Sequence, residues 1–216
     1  WTKYDNNGYD FFGVHITSLI NKKDLFFELS FTGIGDNKLT GELSKTLKGH
    51  SDGVNSVSYR PDGYYLASGS DDKTIKIWDI SKGEEVRILK GHSDGVNSIS
   101  YSPDGYYLAS GSDDATIKIW DISAGKEVKT LKGDSLGVSS VSYSPDGKYI
   151  ASGNDNGAIS VWDVSTGREV RTLAFSNNTV ISVSYSPDGK YLASGNLDKT
   201  IIIWDMSTGK VKTLIG

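Results

Sequence analysis

The stretch Leu-Ala-Ser-Gly-Ser-Asp-Asp-Lys-Thr-Ile-Lys-Ile-Trp-Asp at residues 66–79 recurs through the chain and decides its fold. Its closing Trp-Asp pair returns every 42 residues, with the tryptophans at positions 78, 120, 162 and 204. All four prolines keep the same spacing, and each opens a Pro-Asp-Gly triplet: Pro61, Pro103, Pro145 and Pro187. Matched copies at a fixed interval predict a repeat protein, in which each copy packs against its neighbours.

Each copy has the pattern of four short β-strands joined by tight turns. In the first copy, Val54, Val57 and Tyr59 mark one strand, and Pro-Asp-Gly then turns the chain. After a second strand and an Asp-Asp turn, Thr74–Trp78 alternates at period two, and the charged Glu85–Leu89 suits an outer edge. Such a unit cannot bury both faces alone. The sequence therefore predicts an all-β propeller of four-stranded antiparallel blades at about 48–89, 90–131, 132–173 and 174–216.

The Gly-His pair, the Pro-Asp-Gly triplet and the stretch quoted above resemble the WD-repeat β-propeller family over residues 43–216. The resemblance implies a hydrogen-bonded chain inside each blade, formed by a histidine, a strand serine, a turn aspartate and the tryptophan indole. A buried indole N–H requires an acceptor, and a buried carboxylate requires donors. In the first two blades these residues would be His50, Ser68, Asp72 and Trp78, then His92, Ser110, Asp114 and Trp120.

The third and fourth blades depart from this pattern. Asp134 stands where histidine is expected, and Asn156 stands where aspartate is expected. Two carboxylates would otherwise meet in one partly buried site, so our hypothesis is that the two changes compensate each other. In the fourth blade Ser176 replaces the histidine. Both blades keep the other network residues, which are Ser152, Trp162, Ser194, Asp198 and Trp204.

Residues 1–42 lack both Trp-Asp and Pro-Asp-Gly, yet their aromatic and β-branched runs favour strands. Three interpretations stay open for this segment. It is a degenerate fifth blade, a separate β element that caps a blade or joins another chain, or the end of a larger domain. The second interpretation allows a homo-oligomer formed through residues 1–42, and two chains could complete a larger ring together.

Composition excludes several classes of function. Of the 216 residues, 37% are hydrophobic and the formal net charge is −4, which argues against a nucleic-acid partner. Cysteine is absent, so there are no disulfides or thiolate metal sites, and no apolar run is long enough to span a membrane. Near-identical repeats without cysteine favour a prokaryotic, cytoplasmic protein.

Enzymatic signals are poor. The only histidines are His15, His50 and His92, and the blade networks account for two of them. A Ser-His-Asp triad, a zinc site or a histidine base is therefore not expected, and we predict a non-catalytic protein without cofactor or metal.

One set of residues suggests a binding surface. By the same resemblance, the residue before each turn aspartate and the residue after the first strand valine face the axial end of the propeller. These are Asn55, Asp71, Asn97, Asp113, Ser139, Asp155, Ile181 and Leu197. Acids beside two apolar side chains suit a protein or peptide with a basic edge and a hydrophobic anchor.

Other interpretations of these residues stay open. The acids could be solvated turn residues left by a recent duplication. They could also bind a ligand or a cation, or hydrolyse a substrate, at an acidic channel mouth. A third possibility is a structural subunit of a homo-multimer.

Overall fold

Strands account for all of the regular structure in the described part of the chain. The computed structural model describes residues 20–21, 24–27, 45–132, 136–174 and 178–215. Within these ranges there is no helix, and therefore none long and apolar enough to cross a bilayer. The all-β fold predicted from the sequence is confirmed.

A small three-stranded sheet precedes the repeats. Its strands, hydrogen-bonded in this order, are β1 (Ile20–Asn21), β2 (Asp24–Phe27) and β3 (Lys45–Leu47). Leu47 is buried in one cluster with Val54, Leu66 and Trp78 of the first repeat, so β3 packs against that repeat. The other residues of the atypical 1–42 segment, His15 among them, lie outside the described ranges.

The four repeats form four antiparallel sheets, and in each one the strands are hydrogen-bonded in chain order. Blade 1 contains β4 (Val54–Tyr59), β5 (Tyr65–Ser70), β6 (Thr74–Asp79) and β7 (Glu84–Lys90). Blade 2 contains β8 (Val96–Tyr101), β9 (Tyr107–Ser112), β10 (Thr116–Asp121) and β11 (Lys126–Lys132). Blade 3 contains β12 (Val138–Tyr143), β13 (Tyr149–Asn154), β14 (Ala158–Asp163) and β15 (Glu169–Ala174). Blade 4 contains β16 (Val180–Tyr185), β17 (Tyr191–Asn196), β18 (Thr200–Asp205) and β19 (Val211–Ile215).

Apolar packing between successive blades forms the core. Trp120 of blade 2 is buried in one cluster with Ala67, Ile75 and Leu89 of blade 1, and later blades repeat this pattern. A glycine on each second strand lets the next blade approach closely. A Cβ placed on Gly69 would lie only 2.7 Å from Val96 Cγ1, and one on Gly111 or Gly153 would lie 2.5 Å from the equivalent valine of the next blade. The core therefore lies between successive four-stranded sheets, as it does in a propeller.

Two kinds of hydrogen bond reinforce each blade interface. Serines of one innermost strand accept backbone N–H groups of the next: Ser56 Oγ accepts from Ile99 N at 3.0 Å, and Ser58 Oγ from Tyr101 N at 3.3 Å. The same pairs recur from blade 2 to blade 3 and from blade 3 to blade 4. In addition, a cation on β3, β7, β11 and β15 donates to one or more backbone carbonyls of the following blade; these cations are Lys45, Arg87, Lys129 and Arg171.

Candidate binding face

Inside blade 2, hydrogen bonds link the indole to the turn between the second and third strands. Trp120 Nε1 donates to Ser110 Oγ at 2.8 Å, and Ser110 Oγ lies 2.7 Å from His92 Nε2. The other ring nitrogen of His92, Nδ1, lies 2.8 Å from Asp114 Oδ2. Blade 1 has the same arrangement at the same distances, through Trp78, Ser68, His50 and Asp72. The network thereby connects the buried indole to the turn between the second and third strands, which carries the acidic residue of the axial face.

The partners determine the direction of these bonds. An ionised Asp114 can only accept, so Nδ1 of His92 donates and Nε2 accepts from the Ser110 hydroxyl. Burial lowers the pKa of His92, and this effect outweighs the neighbouring Asp114, which raises it. Burial by itself would raise the pKa of Asp114, but hydrogen bonds from Thr116, Ser93 and His92 lower it to about 2. Near neutral pH the pair is therefore a neutral imidazole beside a carboxylate.

Blade 3 keeps one part of this network. Trp162 Nε1 donates to Ser152 Oγ at 2.9 Å. Asn156 Oδ1 accepts from the backbone N–H of Ala158 at 3.0 Å, as a turn residue does. The predicted replacement at Asp134 lies outside the described residues.

Blade 4 differs further. Asp198 Oδ1 accepts from the hydroxyl of Thr200 at 2.5 Å, which preserves the turn. The Ser194 hydroxyl is buried and has no hydrogen-bond partner in the described part of the blade. Trp204 is nevertheless buried in the cluster between blades 3 and 4. The predicted replacement at Ser176 lies outside the described residues.

On the axial face, defined here by the eight residues that the sequence indicated, asparagine and aspartate are paired within blades 1 and 2. Asn55 Nδ2 donates to Asp71 Oδ1 at 2.5 Å and also to the carbonyl of Val96 in blade 2 at 3.3 Å. Asn97 makes the equivalent bonds to Asp113 and to Val138 of blade 3. Each amide therefore holds one carboxylate in place and connects two blades.

Glycines bring consecutive acids of this face near one another. A Cβ on Gly95 would lie 3.1 Å from Asp71 Oδ1 and 3.5 Å from Asp113 Oδ2. A Cβ on Gly137 would lie 3.0 Å from both Asp113 Oδ1 and Asp155 Oδ2. The three exposed carboxylates therefore follow the blade order around one edge of the face.

The pattern changes between blade 3 and blade 4. Ser139 of blade 3 does not pair with Asp155; its hydroxyl donates to the carbonyls of Gly153 and Val180. The backbone of Leu197 bonds to Thr179 as that of Asp71 does to Gly53, so Leu197 occupies the acid position. Leu197 is 63% exposed and Ile181 is 54% exposed. Around the face, three acids in blades 1 to 3 are thus followed by an apolar pair in blade 4.

The arrangement supports recognition more readily than chemistry. Within the described ranges, no three histidine or acidic side chains come together in a way that could hold a metal ion. A cavity of about 600 Å³ lies between blades 3 and 4, with Tyr149, Arg171, Tyr185 and Met206 among its lining residues. It lies at the Pro-Asp-Gly end of the strands, opposite the axial face.

Sequence reasoning missed the residues that join one blade to the next. The cations of the outer strands stand at 45, 87, 129 and 171, at the same spacing of 42 as the tryptophans. The serines of the innermost strands, such as Ser56 and Ser58, also recur at that spacing. The signal was present, but similar charged or polar residues also occur on solvated faces, so only the geometry shows their role.

Two family profiles match the chain. One, described as the IFT122 first beta-propeller, matches residues 37–173, and the other, described as WD domain, G-beta repeat, matches residues 167–205. Similar curated proteins include the ribosome biogenesis protein BOP1 homologs of Drosophila virilis and Drosophila melanogaster. Each is 60% identical over 40 residues, which is 18% of this chain and 5% of the relative. The chain therefore matches only a small part of the length of these relatives.

Proposed function

The chain belongs to the WD-repeat family of β-propellers, and from this premise we propose that it is a non-catalytic scaffold that binds a partner on its axial face. Propellers of this family typically bind other proteins. The partner proposed here is a protein or a peptide with a basic edge and an apolar anchor. The BOP1 homologs match over 40 residues, about one repeat, so their role in ribosome biogenesis is not transferred to this chain.

The observation that carries the proposal is the exposed apolar pair beside the three acids. Leu197 replaces an aspartate and Ile181 replaces an asparagine or serine at matched positions, so both departures fall on the same blade. Exposed apolar side chains next to charged ones are typical of interaction surfaces. The carboxylates of Asp71, Asp113 and Asp155 would attract the basic edge of the partner, and the apolar pair would hold its anchor.

A binding experiment with a defined probe tests this proposal. Peptides that bind the chain are selected from a random display library, and their affinities are measured against wild type and Leu197→Asp. We expect basic peptides with an apolar residue, at least about tenfold weaker binding to Leu197→Asp, and weaker binding at high salt. Val128→Asp is the matched control, because Val128 is also an exposed apolar residue, at 52% against 63% for Leu197, and lies on an outer strand away from the axial face.

Two results would contradict the proposal. One is unchanged affinity of the selected peptides for Leu197→Asp while Val128→Asp also binds normally. The other is a rise in melting temperature on titration with calcium, which would favour cation binding by the acids instead.

A further inference from the structure

Blade 4, the last of the four described blades, leaves exposed the face that each of blades 1 to 3 packs against the next blade. At Gly69, Gly111 and Gly153, valines of the next blade fill the space where a Cβ would stand. At Gly195, the equivalent glycine of blade 4, no atom of the described residues lies within 4 Å of that point. The open face of blade 4 is defined here by Gly195, Ser182, Ser184, Ile201, Ile203, Lys212 and Leu214.

The apolar residues of the open face are those of a blade interface. Ile201 is 49% exposed and Leu214 is 38% exposed. Their counterparts are buried at every interface between described blades: Ile75, Ile117, Ile159, Leu89, Leu131 and Leu173. Blade 4 therefore exposes a surface of the kind that single chains usually cover.

The hydrogen-bonding groups of an interface are also present. Ser182 and Ser184 are exposed, whereas their counterparts in blades 1 to 3 accept backbone N–H groups from the next blade. In the part of blade 4 that the structure describes, no N–H donates to either hydroxyl.

Lys212 supplies the cation. It pairs across the sheet with Ile203, as Arg87 pairs with Ile77 and Lys129 with Ile119. Those two cations donate to carbonyls of the next blade, while Lys212 is exposed and makes no such bond within the described ranges. The open face thus retains the four features of a complete interface. These are the glycine notch, meaning the space at Gly195 where a valine would fit, the apolar residues, the hydroxyl acceptors and the cation.

We propose that the open face of blade 4 binds blade 1 of a second copy of this chain. The occupant must offer an innermost strand with valine, a β-branched residue and tyrosine, two backbone donors, and carbonyls for Lys212. Blade 1 offers such a strand in β4. Val57 and Tyr59 are only half-buried there, whereas their blade 2 counterparts Ile99 and Tyr101 are buried. In addition, no side chain among the described residues accepts from the N–H of Val57 or Tyr59.

The N-terminal sheet now holds the outer part of the same blade 1 face. Lys45 Nζ donates to the carbonyls of Ile80 and Ser81 at 3.0 and 2.8 Å. The strand that makes this contact has the sequence Lys-Thr-Leu at 45–47, and blade 4 has Lys-Thr-Leu at 212–214. When blade 4 of one copy docks on blade 1 of the other, its strand β19 therefore takes the place of β3. The contact is head-to-tail, because it joins two different surfaces of the chain.

Sedimentation of the full chain over a wide concentration range tests the proposal. We expect wild type to self-associate, and Gly195→Val to weaken the association at least tenfold, a loss of about 1.4 kcal/mol, because it fills the notch. The monomer should fold normally, since the new side chain meets open space. Lys212→Ala should weaken association, whereas Lys45→Ala should strengthen it by loosening β3.

Leu197→Asp is the matched control in the same blade. It should weaken peptide binding at the axial face and leave self-association intact, so the two proposals fail independently. A wild-type chain that stays monomeric would overturn the proposal and leave a further blade of a longer polypeptide as the occupant. Self-association that persists unchanged in Gly195→Val would also overturn it.

Discussion

Blade 2 and blade 4 have the same four strands and the same second-strand register, yet their interiors are bonded differently. In blade 2 the Ser110 hydroxyl is shared between His92 and Trp120. In blade 4 the equivalent Ser194 hydroxyl is buried without a partner in the described part of the blade. The comparison teaches that strand pattern, glycine notches and buried indoles suffice to form a blade. A blade therefore forms without a hydrogen bond at this serine, and in blades 1 to 3 that bond adds stability.

The test with the largest expected effect removes the serine hydroxyl in one blade at a time and compares three single variants. Ser110→Ala leaves a buried indole N–H and a buried imidazole nitrogen without partners, which we expect to cost about 3 kcal/mol in the free energy of unfolding. Ser152→Ala removes one partner, that of Trp162, and should cost about 1–2 kcal/mol. Ser194→Ala should cost less than about 1 kcal/mol. Urea unfolding followed by circular dichroism measures all three.

The graded order is the informative result, since all three serines are buried at equivalent positions. Equal losses in the three variants would show that packing of the serine, and not its hydrogen bonds, determines the cost. The comparison between the blades would then lose its physical basis.

A second test uses pH. Burial lowers the pKa of His50 and His92 below the ordinary 6.5, although Asp72 and Asp114 oppose this. As pH falls below about 6.5, the unfolded chain binds protons that the folded chain excludes, so stability should fall. Asp72 and Asp114 have pKa values of about 2 in the folded chain, and 3.8 is their ordinary value. Their own contribution is therefore lost only below about pH 4.

Melting curves between pH 7 and pH 5 measure this effect as a decrease of a few degrees. The control is the double variant His50→Gln and His92→Gln, in which neither ring position can titrate. Its melting temperature should be lower at pH 7 but nearly constant over the same range. An equally steep decrease in the double variant would assign the pH dependence to other groups.

Much of this molecule could be predicted from the sequence, because the repeat aligns equivalent residues. The Trp-Asp spacing indicated the blades, whereas the assignment of Asp71, Asp113 and Leu197 to an axial face came from the resemblance to the WD-repeat family and stays a prediction. Lys212 could not be found in this way. Spacing alone points to Thr213, but β19 lacks the one-residue register shift found beside the tryptophan in the other blades, which places Lys212 at the cation position. Registers of this kind depend on a bulge that the sequence does not reveal.

The smallest test concerns the tight turn that precedes the third strand of each blade. Ala115 has φ 63° and Lys199 has φ 70°, whereas blade 3 has Gly157 with φ 83° at this position. A left-handed conformation costs a residue with a Cβ more than it costs glycine, so Ala115→Gly should stabilise the chain by about 0.5–1 kcal/mol. Gly157→Ala is the matched reversal and should destabilise it by a similar amount. If Ala115→Gly lowered stability and Gly157→Ala raised it, the greater loss of chain entropy at glycine would outweigh the backbone strain, and these turns would not distinguish blade 3 from blade 2.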